Sequence, residues 1–301
     1  MRAPALWTVL VVAACGGPGL GDDAGGDGGA IDTPGNDGWR TLISRNWTTN
    51  SPFDGYKCRV MKVPEDMYIS GYRLMAPTGT HHTILTITSD PTTGDTDCTP
   101  QPEPTMLYAG GIGTKDVLFP GGVAIKLTAG QYIRLELHLY NASDNQETGT
   151  SGLQVKTIAA SQVANEADMI FLGNISNWNL SPNPNTQTVA GSCSVPADWH
   201  LFSLWPHMHA LGTHQTVTIT RNSSAQTLTL LDQPYDLLDQ KMYMMSPDMP
   251  AYTNDTLGVT CSFVNTSGGV VYQGESSTSE MCLTGLLKWP KGGSELQCAS
   301  L

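Results

Sequence analysis

Tyr132-Ile133-Arg134-Leu135-Glu136-Leu137-His138-Leu139-Tyr140 alternates apolar and polar residues strictly between Ile133 and Leu139. On a strand, successive side chains point to opposite faces. Ile133, Leu135, Leu137 and Leu139 therefore share one apolar face, and Arg134, Glu136 and His138 share the other. Working outward, Thr83-Ile84-Leu85-Thr86-Ile87-Thr88, Thr216-Val217-Thr218-Ile219-Thr220, Thr227-Leu228-Thr229-Leu230 and Leu257-Gly258-Val259-Thr260-Cys261-Ser262-Phe263 read as further strands. Turn signals punctuate them at Asn141-Ala142-Ser143-Asp144, Arg221-Asn222-Ser223-Ser224 and Thr266-Ser267-Gly268-Gly269. Apart from a weak stretch over 158–171, no segment carries a 3.6-residue period. Short strands at regular spacing predict an all-β fold of antiparallel sandwiches or jelly rolls. The polar stretch 156–167 suggests a boundary, giving one domain over 39–158 and a second over 159–301.

The chain has 301 residues, with 15 Lys+Arg against 27 Asp+Glu and a net charge of −12. Phosphate binding needs a basic face, so this balance argues against nucleic acid as a partner. Residues 1–15 combine Arg2, a short apolar run and small residues, the form of a secretory signal. Val12-Ala13-Ala14-Cys15 has the form of a bacterial lipobox, which would lipidate Cys15. Residues 16–38 are rich in Gly and Asp and lack Lys and Arg, which predicts a flexible, hydrated tether. No later apolar run approaches the ~20 residues of a membrane-spanning helix, so membrane contact is expected only through a lipid anchor. An exported protein is expected, at the bacterial outer membrane or cell surface or in the periplasm. Six further cysteines, Cys58, Cys98, Cys193, Cys261, Cys282 and Cys298, suggest three disulfides in such a compartment. Spacing leaves their connectivity open.

Five of the seven histidines are grouped. His81-His82 precedes a strand, His138 lies in the alternating strand, and His207-Met208-His209 is a His-x-His. On a strand, His207 and His209 point to the same face and form a two-point ligand for one ion. Adjacent histidines converge only at a bend or strand end, which Thr78-Gly79-Thr80 can supply. Taken alone, each group is also compatible with ordinary surface or packing histidines. Together, in an exported chain, they point to a metal protein; imidazoles suit Zn, Cu, Ni or Fe, and a thioether shifts the choice to copper. No helix carries the His-Glu-x-x-His of a zinc hydrolase.

Thr80-His81-His82-Thr83, Leu135-Glu136-Leu137-His138-Leu139-Tyr140, His207-Met208-His209-Ala210-Leu211-Gly212 and Glu280-Met281-Cys282 occur in one order. This ordered set resembles the copper type II, ascorbate-dependent monooxygenases, the family of the peptidylglycine α-hydroxylating and dopamine β-hydroxylating enzymes. Tyr235-Asp236-Leu237-Leu238-Asp239-Gln240 falls where the family has a comparable segment. The resemblance extends over roughly 39–301. It implies two consecutive β-sandwich domains facing a cleft. It implies two coppers per chain, one held by His81, His82 and His138 for electron transfer and one held by His207, His209 and Met281 for oxygen chemistry. Ascorbate would supply electrons, and a small organic substrate would be hydroxylated with O2. The family's bridges would be matched by Cys58–Cys98, Cys193–Cys298 and Cys261–Cys282. His200 and His214 match no ligand position.

The chain departs from the peptide-hydroxylating branch, which has Arg two positions before its His-x-His and Asn and Tyr two and four positions after its ligand Met. Here these positions are Trp205, Leu283 and Gly285. A glycine-extended peptide is thus not the expected substrate. Trp205 and Leu283 either line an apolar pocket or merely pack. A non-enzymatic, surface-anchored copper binder (a buffer, chaperone or adhesion module) is the alternative function.

Overall fold

The computed structural model describes residues 31–99, 105–276 and 278–292. The first sandwich is built from β1 (Arg40–Thr49), β2 (Phe53–Lys62), β3 (Met67–Met75), β4 (Thr80–Thr88), β5 (Gly94–Cys98), β6 (Thr105–Gly111), β7 (Val117–Leu118), β8 (Val123–Leu127), β9 (Tyr132–Asn141), β10 (Glu147–Ile158) and β11 (Asn165–Glu166). One sheet runs β1-β10-β3-β8-β11, with β7 on β3, and the other β5-β2-β9-β4-β6. The second sandwich contains β12 (Asp168–Gly173), β13 (Asn179–Leu180), β14 (Asn183–Ser194), β15 (Trp199–His207), β16 (Gly212–Thr220), β17 (Thr227–Pro234), β18 (Tyr243–Ala251), β19 (Thr256–Asn265), β20 (Val271–Tyr272) and β21 (Leu283–Trp289). Its sheets run β12-β21-β15-β18 and β14-β19-β16-β17, with β13-β20 as a small ribbon. All but the short β8–β11 pairing is antiparallel in these ladders. The fold is all-β, as the period-2 pattern predicts.

The alternating strand is β9, at the centre of its sheet. Ile133, Leu135, Leu137 and Leu139 are fully buried, each burial stabilising by about 2 kcal/mol. The opposite face is buried too: Arg134, Glu136 and His138 are each 6–7% exposed. Arg134 ion-pairs with Glu136 at 3.1 Å beneath Cys58. Composition along one strand cannot report this, because what covers the polar face comes from elsewhere in the chain.

Between the sandwiches, residues 159–167 stay with the first. Ala160–Gln162 forms a single 3₁₀ turn, β11 pairs in parallel with β8, and Ala167 N donates to Ala124 O at 2.8 Å. The chain enters the second sandwich at Asp168, so the segment placed at the start of the second domain lies along the first. The two sandwiches are also joined by packing. Met169, Phe202, Trp205 and Leu287 of the second extend the core of the first, and Phe119 and Phe202 meet with ring centroids 5.0 Å apart.

Cys58 pairs with Cys98, and Cys261 with Cys282, as the resemblance implies. The bridges are compatible with an exported protein. Cys298, Cys15 and residues 1–30, with the expected signal and most of the tether, lie outside the described residues. Among the described residues no helix is long and apolar enough to cross a membrane.

Candidate metal centre

The first histidine cluster is made by a β-bulge. In the β4–β9 ladder Thr80 pairs with Leu139 and His82 with His138, leaving His81 as the extra residue. A bulge sets two residues against one and re-aims the side chain. Gly79, at φ +93°, turns the chain into it. His81 Nδ1 lies 3.2 Å from His82 Nδ1 and 3.2 Å from His138 Nδ1, and all three rings are buried.

The outer edges of two of these rings are committed. His138 Nε2 donates to Asp54 Oδ1 at 2.6 Å, and His81 donates to the Leu237 carbonyl. Carboxylates and carbonyls only accept. In neutral rings the hydrogens are therefore outside, and the Nδ1 lone pairs of His81 and His138 face one another at 3.2 Å. A cation held between them would relieve that repulsion. Ligand nitrogens ~2.0 Å from a tetrahedral ion stand about 3.3 Å apart, close to the observed spacing. The residues thus fit a metal ion bound through Nδ1. Tyr56 stacks on His138 with centroids 4.4 Å apart and fixes its plane.

The second cluster forms where β15 ends at His207, with the His207 and His209 rings 5.2 Å apart. Met208, between them, is fully buried in the second core. His207 Nδ1 donates to Gln240 Oε1 at 3.2 Å, and His209 Nδ1 donates to Ser279 O at 2.9 Å. His207 is left with Nε2 as its available ligand atom, and the His209 ring also meets the Ser276 backbone. Trp205 stacks on His207, centroids 4.7 Å apart, and is 2% exposed. Its packing reading holds: it supports a histidine and does not line an open pocket.

Met281 lies two residues ahead of β21. His207 pairs with Leu283 across β15 and β21. Both strands end at that pair, and His209 and Met281 each lie two residues beyond it. Glu280 and Cys282 flank Met281 and are buried. Glu280 accepts from His209 N at 2.9 Å and Leu211 N at 2.6 Å, and Cys282 is tied to Cys261. The half-buried Met281 is thus carried between two anchored residues.

The sequence treats the clusters as two separate triads. The structure brings them together: the His82 and His207 rings meet edge to face, centroids 5.8 Å apart. Asp54, Gln240, Glu280 and the Leu237 carbonyl orient the histidines, and none is singled out by the sequence reading as a site residue. The signal available for Gln240 and Glu280 was their place in the ordered segments that carry the resemblance; for Asp54 there was none. His200 stacks on Trp289 and His214 lies 3.3 Å from Asp232, both apart from the clusters. Met242 is buried in the interdomain core, and Met245 and Met249 pack on the second core. Cys58, Cys98 and Glu136 converge as well, but both sulfurs are in a disulfide.

Burial holds every histidine of the clusters below its ordinary value, His81 at about 4 and His207 at about 3, so all are neutral donors at neutral pH. The metal-free protein should therefore weaken in acid. Below pH ~6.5 the unfolded chain takes up protons that the folded one refuses, so stability falls as pH drops from 6.5 toward 4. Urea midpoints in chelator across that range will show it; a flat profile would contradict the burial.

The sequence profile of the copper type II ascorbate-dependent monooxygenase C-terminal domain matches residues 165–300. No curated protein matches the chain. Among solved structures, the chain is similar to one from Sulfolobus Turreted Icosahedral Virus, at 16% identity and TM-score 0.25, covering 83% of this chain and 61% of that one. A second, from infectious bursal disease virus strain Gt, has 10% identity and TM-score 0.19, covering 89% and 76%. Likeness at that level carries no argument about fold or function.

Proposed function

Through residues 165–300 this chain belongs to the copper type II, ascorbate-dependent monooxygenase family, and on that premise we propose that it hydroxylates a C–H bond of a small organic substrate with O2 and an external reductant such as ascorbate. His81, His82 and His138 would hold one copper through Nδ1, and His207, His209 and Met281 a second through two Nε2 atoms and a thioether. Bound there, copper would supply one-electron redox chemistry and O2 activation, with the soft thioether favouring Cu(I). The balance is R–H plus O2, two electrons and two protons, giving R–OH and water, with both electrons from the reductant.

The chain's own groups prepare this. Asp54 and the Leu237 carbonyl keep the outer hydrogens on His138 and His81, so that Nδ1 is the ligand atom. Gln240 and Ser279 do the same for His207 and His209, directing Nε2 inward. Trp205 and Tyr56 lock ring planes by stacking. Glu280 fixes the backbone on both sides of the thioether. The convergence of three Nδ1 atoms in contact with a second histidine pair is the observation that carries the reading. The expected setting is outside the cytoplasm, with a lipid on Cys15 and a third bridge between Cys193 and Cys298.

The alternative, a surface-anchored copper buffer or chaperone, draws support from Trp205. It fills with a packing side chain the place of the substrate-binding Arg in the peptide-hydroxylating branch. One experiment separates the two: load the purified chain with copper, measure the metal per chain, and follow ascorbate-dependent O2 uptake over a substrate panel. Two coppers with substrate-stimulated uptake are expected. Two coppers without uptake on any substrate would favour the buffer, and a ratio near one would contradict the two-copper reading.

A further inference from the structure

The segment 237–240 of the second sandwich touches both histidine clusters. Gln240 is 1% exposed. Its Oε1 accepts from His207, and its Nε2 donates to Leu237 O at 3.2 Å and lies 3.5 Å from His81 Nε2. The same Leu237 carbonyl accepts from His81. Its own carbonyl accepts from Trp205 Nε1 at 3.2 Å within the second sandwich and from Gly111 N at 2.8 Å in the first. Gly111 is the ladder partner of His82. One residue is therefore bonded, on one side, to a cluster histidine and to the ring stacked on it. On the other side it meets a second cluster histidine and the strand paired with a third.

The approach is close by construction. A Cβ on Gly111 would stand 2.7 Å from His81 O and 2.9 Å from Gln240 Cβ, so only glycine there lets the segment reach the first cluster. Gly113 is likewise closed over by Asp239. The glycine loop between β6 and β7 and the 237–240 segment fit as a matched pair.

We propose that Gln240 is an interdomain latch: its backbone carbonyl binds Gly111 across the domain contact, while its side-chain amide anchors that segment on Leu237 O and sets the ligand nitrogen of His207. The amide is the right group for the task. It carries an acceptor for an imidazole N–H and a donor for a carbonyl, without a charge to bury between two metal sites. A carboxylate keeps the acceptor and loses the donor. A thioether of similar length keeps the volume and loses both. The assignment to metal-bound histidines rests on the copper reading; the latch itself does not.

The test has two arms. In chelator-treated protein, hydrogen exchange reads the Gly111 amide, which donates across the domain contact. Gln240→Met should raise its exchange at least tenfold relative to wild type, and Gln240→Glu should fall between them, with Cys261–Cys282 amides of the second core unchanged as a folding control. Unchanged exchange at Gly111 would overturn the latch, whether or not copper binds. In protein loaded with Cu(II), paramagnetic resonance of wild type should show dipolar broadening and a half-field transition from two ions in contact range. Gln240→Met should keep two coppers, lose the half-field transition, and bind the second-sandwich ion about 10-fold to 100-fold more weakly, the range for removing an outer partner of a ligand histidine. A coupled spectrum in Gln240→Met identical to wild type would overturn the latch. Failure of wild type to bind two coppers would remove the copper reading and leave the exchange arm to decide the latch.

Discussion

Met281→Ala will remain folded and lose reductant-dependent oxygen consumption by roughly 100-fold, the upper end of what even an outer-shell partner of a metal contributes. The structural reason for the split lies in its neighbours. Glu280 and Cys282 are buried and anchored, one by amide donors and one by a disulfide, while Met281 is half-buried between them. Truncating it removes a half-buried thioether without opening the core. The stability change should be about 1 kcal/mol or less. Two His ligands remain, so copper should still bind, but the preference for Cu(I) should weaken. Copper per chain, the reduction potential of the second-sandwich ion and O2 uptake are the measurements. A variant that turns over as wild type does would show that the thioether is not a ligand.

Glu280→Ala should be the opposite case, with a large loss of stability. The carboxylate is 1% exposed and accepts from His209 N, Leu211 N and the amide of Met281. Removing it leaves three buried donors without a partner, at ~1–3 kcal/mol each. A loss of about 3–5 kcal/mol in urea unfolding is expected, with the second copper site lost first because its loop is the part released. Glu280→Gln should recover part of this, since one amide oxygen can still accept. Burial pushes the Glu280 carboxyl up to about 7, against those same amide donors. A folded value above the unfolded one stabilises fully below the unfolded pKa, and that contribution is lost as pH rises toward 7. Glu280→Gln removes this component and leaves the opposite slope of the buried histidines. If Glu280→Ala unfolds at the wild-type urea concentration, the carboxylate does not organise the loop.

Period 2 in residues 133–139 announced a strand because the apolar face must meet a core, and β9 buries all four of its alternating side chains. The His-x-His at 207–209 was readable as a two-point ligand, and its rings do meet, 5.2 Å apart, but β15 ends at His207, so His209 comes round beyond the strand and not by alternation along it. The adjacent pair His81-His82 could be matched to a site only through a resemblance. Its convergence depends on a register shift against β9, and a bulge is a property of two strands, not of one. Residues 159–167 have no strong pattern of their own, and β8 pairs with β11 among them, which only the tertiary structure shows.

Local pattern thus determined the all-β class and the grouping of five histidines, because period and side-chain chemistry act over a few residues, while the candidate ligand sets came from the family resemblance. Tertiary structure alone decided that the two histidine clusters touch, that Asp54, Leu237, Gln240 and Ser279 choose the nitrogen each ring offers, and that Trp205 supports a histidine. Those outcomes depend on contacts between groups up to 159 positions apart, and no short-range rule spans that distance.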